Sequence, residues 1–172
     1  AGLAMEALGG VAVSIGPGSF TGLRIGLGIA KGLSSGLGIP LAAVSTLESL
    51  LVPVHGAGVA CAVLPARKGE VYMAIYRSGG ASWSRIGEER VVGVEEVSGS
   101  LPDGPAVMVG EGAWIHRERI VRPGGEIRFP DPPLSFSSAY SVAKLGREQL
   151  MRGEAADPAT LVPKYIKRFK GI

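Results

Sequence analysis

Cysteine, histidine and aromatic residues are scarce in this chain. A single cysteine, Cys61, stands in the apolar run VACAVL. It forms no intramolecular disulfide, and a buried thiol is the role such a run implies. A disulfide-stapled secreted scaffold is therefore excluded, and with no leader-like segment at the start the expectation is a cytoplasmic protein. The chain opens on Ala1 rather than methionine, so the true N-terminus is expected to be missing. The two histidines, His55 and His116, are far apart, with no His-x-x-x-His and no cysteine pair, which removes the usual zinc-ligand spacings. No Gly-x-Ser-x-Gly occurs: Ser19 sits in Gly18-Ser19-Phe20 and the next glycine is Gly22, so a nucleophile elbow is excluded. Carboxylates gather in charged stretches such as Glu88-Glu89 and Glu95-Glu96. Glu111, between two glycines, is the one acid in a site-like loop, and a surface turn explains it adequately. No apolar run reaches the roughly 20 residues that a membrane-spanning helix needs.

Apolar residues are plentiful, at 46% against 19% charged, which suits a packed core. The length fits one domain or two small lobes. There are 27 glycines and 12 prolines without a collagen-like period, and no repeat. The net charge of +3 is too small to identify a nucleic-acid binder. Part of the excess sits in the tail, at Lys164, Lys167, Arg168 and Lys170. Either a solvated strip or a contact with RNA or an acidic partner fits that run.

Hydrophobic patterning predicts strand, helix, strand, helix over the first third, hence a parallel or mixed sheet of the α/β class. Gly10 to Ile15 reads as a buried strand. A glycine-rich helix follows from Ser19 to about Gly38, closed by Gly38 and Pro40. Leu41 to Val44 is a second strand. Ser45, with Glu48 three residues on, forms a capping box for a helix over Thr46 to Val52. Pro53 and Gly56 to Gly58 mark a boundary, dividing the chain into residues 1–58 and 59–172. Beyond it, Val59 to Leu64 and Glu70 to Arg77 form a hairpin turning at Arg67-Lys68-Gly69. Further strands are expected at Ser82 to Val92 and Ala106 to Val109, and a short helix at Trp114 to Ile120. Pro123 to Pro133 reads as loop. Ser138 to Met151 is an amphipathic helix with Val142, Leu145 and Leu150 inward, and Leu161 to Phe169 runs extended over the surface.

The glycine-rich helix is the most informative element. Gly22, Gly26, Gly28, Gly32 and Gly36 each cost roughly 0.8–1 kcal/mol relative to alanine in a helix interior. At 100° per residue, Gly22, Gly26, Ala30 and Ser34 form one ridge and Gly28, Gly32 and Gly36 a second, with Ile25, Ile29 and Leu33 between them. Small residues four apart allow another backbone to approach closely. Polar positions keep to a narrow strip of Arg24, Lys31 and Ser35, so most of the circumference is suited to burial. Two outcomes fit: burial wholly within the chain, or packing on its own sheet and also on a further helix, including one from a partner.

The turn before that helix invites a phosphate-site reading, because a helix N-terminus offers free N–H groups. Gly16 and Gly18 match the start of Gly-x-Gly-x-x-Gly, but Thr21 occupies the third glycine position. The spacing Gly-x-x-x-x-Gly-Lys-Ser/Thr is absent. Pro17 also removes a donor. A turn with Gly18 at positive φ, followed by Ser19 capping the helix, is the favoured reading.

GPGSFTGLRIGLGIAKGLSSGLGIPLAAVSTLESL, Gly16 to Leu50, resembles the signature of TsaB-type (YeaZ, glycoprotease-like) subunits of the bacterial tRNA threonylcarbamoyladenosine complex. Later segments agree in order. PARKGEVYMAIY, Pro65 to Tyr76, is similar to the family's Asp-Ala-Arg hairpin, with Pro65 where aspartate is usual. Gly110-Glu111-Gly112-Ala113 resembles its Gly-Asp-Gly-Ala, and Pro163-Lys164-Tyr165-Ile166-Lys167 its terminal Pro-x-Tyr-Leu-Arg. The resemblance implies the two-lobe fold of the actin, sugar-kinase and Hsp70 group. It also implies that the family's opening strand, hairpin and long first helix do not precede Ala1. The first lobe would then be incomplete, with its sheet edge and partner-facing helix layer exposed, as in a truncated or proteolysed form.

The function implied is that of a non-catalytic dimerisation subunit. Such a subunit pairs with a TsaD-type catalytic paralogue through a helical layer and activates it allosterically. The paralogue carries the His-x-x-x-His that this chain lacks and transfers threonylcarbamoyl to the adenosine beside the anticodon. A TsaE-type ATPase is the expected third partner. The nucleotide would sit on the partners, so no cofactor is expected here, and tRNA would be met only indirectly. Helix geometry assigns the interface to Phe20, Gly22, Leu23, Gly26, Leu27, Ala30 and Lys31. A homodimer is a further possibility. The alternative is an enzyme of the same broad fold, a phosphotransferase or a glycoprotease-like peptidase. It would need an ATP or metal site that these residues do not display. A tRNA-binding role for the basic tail is a third reading, with a steep salt dependence as its mark.

Overall fold

The computed structural model describes residues 2, 4–56, 58–80, 82–122, 125–131 and 136–166. It divides into two compact units. The first runs to Ser49 and takes in Ser138 to Lys164; the second runs from Leu50 to Ser137 and resumes at Tyr165. The segment from Ser138 to Lys164, expected in the second lobe from chain order, is thus part of the first.

The first unit opens on a three-residue 3-10 turn, Met5–Ala7. Strand β1, Val11–Gly16, leads through the Gly-Pro-Gly turn into helix α1, Phe20–Leu37, and back into β2, Leu41–Ser45. The two strands pair in parallel, Val11 opposite Leu41 and Val13 opposite Ala43, as a βαβ crossover requires. A four-residue helix, α2 (Thr46–Ser49), follows at once. It is shorter than the predicted Thr46 to Val52, and the Ser45 half of the expected capping box is in place: the Glu48 N–H donates to Ser45 Oγ at 3.4 Å.

Helix α5, Ala139–Met151, packs on both strands and starts where Ser138 Oγ accepts the Ser141 N–H at 3.1 Å. Its seat is made by absence. A Cβ on Gly146 would overlap the Cβ of Ala12 and lie 3.1 Å from that of Ala42. Three small residues therefore set the distance between helix and sheet. Ser141, Val142 and Gly146 are buried, while Leu145 and Leu150 are only half-buried. Past the helix, the Ala156 N–H donates to Leu41 O at 2.8 Å and the Lys164 N–H to Ile15 O at 2.7 Å. These bonds tie the return segment to both strands. Of the tail expected to run extended from Leu161 to Phe169, residues 167–169 lie outside the described residues, as does Lys170.

The second unit is a five-stranded mixed sheet in the order β5-β4-β3-β6-β7. Strands β3 (Val59–Pro65) and β4 (Glu70–Ser78) form the predicted hairpin, and β5 (Trp83–Gly93) continues it antiparallel. The Glu70 N–H closes the turn on Arg67 O at 2.9 Å, with Gly69 at φ +77°. A short helix α3 (Glu96–Gly99) leads to β6 (Ala106–Val109), which lies parallel to β3. Alternate residues of β3 and β4 (Cys61, Val63, Val71, Met73, Ile75) point into one core with Val94, Val97, Met108 and Ile120.

Two expectations for this unit need correcting. Helix α4 spans Glu111–Ile115 rather than Trp114 to Ile120, which is mostly turn. Gly112, inside the first turn, would ordinarily argue against a helix there, but it and the N-cap Gly110 let the helix approach β3. A Cβ on Gly110 would overlap Val63 O, and one on Gly112 would lie 2.8 Å from Leu64 C. The second correction is a two-residue strand β7, Ile127–Arg128, inside the stretch read as loop. It pairs with β6, Ala106 opposite Ile127.

Candidate partner interface on the glycine-rich helix

The turn into α1 is built by a different glycine from the one expected. Gly16 carries the positive φ, +117°, and Gly18 does not. A Cβ on Gly16 would sit 2.8 Å from Lys164 O and 3.1 Å from Leu23 Cδ1, so side-chain-free backbone is needed on steric grounds as well. The Gly16–Pro17 peptide is cis. Ser19 caps the helix as predicted, its Oγ accepting the Gly22 N–H at 3.3 Å. At the far end Gly38 adopts the left-handed conformation, φ +65°, and donates its N–H to Ser34 O. Ser34 Oγ donates to Ile39 O at 2.6 Å, fixing the exit into β2.

Between these caps, among the described residues, the helix packs on β1 and β2 with the face that carries Leu27, Ala30 and Ser34. Leu27 and Ala30 are each 4% exposed and Ser34 is buried beside them. Leu23 is half-buried, with its Cδ1 close to Gly16. The opposite face is open. Ile25 is 59% exposed and Ile29 60%, and Gly28, Gly32 and Gly36 are exposed with no atom within 4 Å of where a Cβ would stand. A row of glycines flanked by two bare isoleucines makes a shallow apolar trough along one side of the helix.

The seven residues assigned to the interface from sequence do not share this trough. Leu27 and Ala30 are taken up by the chain's own core, which corrects their assignment to a partner face. Leu23 is partly spent in the same way. Gly26 is half-buried at the border, although nothing lies within 4 Å of its Cβ position. Gly22 is exposed in the capped first turn. Phe20 is 47% exposed, with the Arg24 guanidinium 3.9 Å from its ring centroid. Such a cation–π contact is worth about 0.5–1 kcal/mol at an exposed site. Lys31 is half-buried, and its charge helps hold the Asp157 carboxyl below the usual carboxylate range. The larger causes there are the Ala159 N–H at 2.9 Å and the Thr160 hydroxyl at 3.0 Å, both donating to Asp157. Of the two ridges, the one with Ala30 and Ser34 turns inward and the one with Gly28, Gly32 and Gly36 turns outward. Ile25 and Ile29 are the interface candidates that sequence alone passed over. With both flanks apolar, only the crossover onto the sheet decides which is inside.

Other candidate groups take structural places. Glu111 is exposed in the first turn of α4, where the neighbouring glycines serve packing. Cys61 is fully buried; burial pushes its thiol up from 9.0 to about 12, against the charge of Arg90, which pulls the other way. Among the described residues no group of three His, Cys, Asp or Glu side chains is arranged to hold a metal ion. No helix among them is long and apolar enough to cross a membrane.

A family model described as TsaD, tRNA N6-adenosine threonylcarbamoyltransferase, matches residues 1–155. The chain is 32% identical over 169 residues to the tRNA threonylcarbamoyladenosine biosynthesis protein TsaB of Bacillus subtilis, covering 96% of this chain and 72% of that protein. The chain belongs to the TsaB family. The TsaB protein of Escherichia coli is 37% identical over 140 residues, which span 75% of this chain and 61% of the relative. The solved structure of YeaZ from Pseudomonas aeruginosa superposes with a TM-score of 0.79 at 29% identity, covering 95% of this chain and 76% of that one. The expected α/β fold, of the actin, sugar-kinase and Hsp70 kind, is thus the fold of this TsaB-family chain.

Proposed function

We propose that this chain is a non-catalytic subunit of the machinery that adds threonylcarbamoyl to a tRNA adenosine, and that it acts by docking a partner on the outer face of α1. The observation that carries the proposal is the trough formed by Ile25, Gly28, Ile29, Gly32 and Gly36. Ile25 and Ile29, 59% and 60% exposed, forgo a part of the roughly 1.5–3 kcal/mol that full burial of such a side chain brings. Glycines in a helix forgo up to about 1 kcal/mol each. A helix that carries both on one solvent-facing side is built to be covered, and the missing Cβ atoms let a second helix come within close-packing distance.

The partner that fits is the TsaD-type catalytic paralogue, with a TsaE-type ATPase joining through the complex and tRNA met only through the assembly. That work belongs in the cytoplasm. Nucleotide and metal chemistry then reside on the partners. This agrees with the two separated histidines and the protonated, inaccessible Cys61 of this chain.

Reconstitution tests the reading. Threonylcarbamoyl transfer to tRNA is measured with the TsaD-type and TsaE-type proteins, with and without this chain. Transfer that rises on addition of this chain, which has no activity alone, is the expected result. Transfer by this chain alone would overturn the non-catalytic assignment. Light scattering of the chain by itself separates a homodimer through the same trough from a monomer awaiting its paralogue.

A further inference from the structure

We draw no further inference here: the strongest candidate, the apolar groove of about 560 Å³ between the unpaired edge of β1 and helix α5, lined by Gly10, Ala12, Ala143, Leu150 and Met151, carries nothing because no feature of the structure shows what covers it.

Discussion

Glycines do two opposite jobs in this chain, and single substitutions separate them. Gly110 has φ +102° and no room, because a Cβ there would overlap Val63 O and lie 2.9 Å from Leu50 Cδ1. Gly110→Ala is expected to destabilise the chain by at least about 1–3 kcal/mol from backbone strain alone, read as a lower urea midpoint. Gly32 is the reverse, an unstrained helical glycine facing open space. Gly32→Ala is expected to stabilise the chain by up to about 1 kcal/mol, read as a higher midpoint. A loss of stability at position 32 would mean that the outer face of α1 is already occupied. Cys61 makes a pH prediction. Its pKa in the folded chain, about 12, lies above the ordinary 9.0, so between those values the folded state holds a proton that the unfolded state has lost. The stability tied to the neutral thiol is therefore whole below pH 9 and drains away as pH rises toward 12. Cys61→Ala should flatten that alkaline decline in a series of urea melts, and a native-state thiol reagent should leave Cys61 unmodified at neutral pH.

At the scale of elements, legibility followed locality. The α1 cap at Ser19, its stop at Gly38 and the α2 cap at Ser45 were readable because each signal lies within a few residues of what it does. Ser19→Ala should cost about 1 kcal/mol of stability, visible in a thermal melt. The hairpin turn at Arg67-Lys68-Gly69 was readable for the same reason. What escaped were contacts between distant segments. Gly146 against Ala12 and Ala42 draws α5 into the first unit, and nothing around position 146 announces it. The start of α4 at Glu111 depends on β3 lying beneath two glycines. The orientation of α1 depends on which flank meets β1 and β2. Since Ile25 and Ile29 are as apolar as Leu27 and Ala30, periodicity identified the doubly apolar helix but not its inward side.

At the scale of the whole molecule, the internal sheet takes one face of α1 and the proposed partner would take the other. The two needs predict different failures. Leu27→Arg places a charge in the core and should unfold the chain, lowering partner binding only because little native protein remains. Ile29→Arg should leave the fold intact, because that side chain is 60% exposed. The measurement that bears most directly on the account is a calorimetric titration of the TsaD-type subunit with the native chain, the double variant Ile25→Arg/Ile29→Arg, and Gly32→Leu. Circular dichroism would confirm that each remains folded. The account predicts that both folded variants lose at least about tenfold in affinity, a change of roughly 1.4 kcal/mol. Unchanged affinity in a properly folded double variant would contradict it, and would move the partner surface off α1.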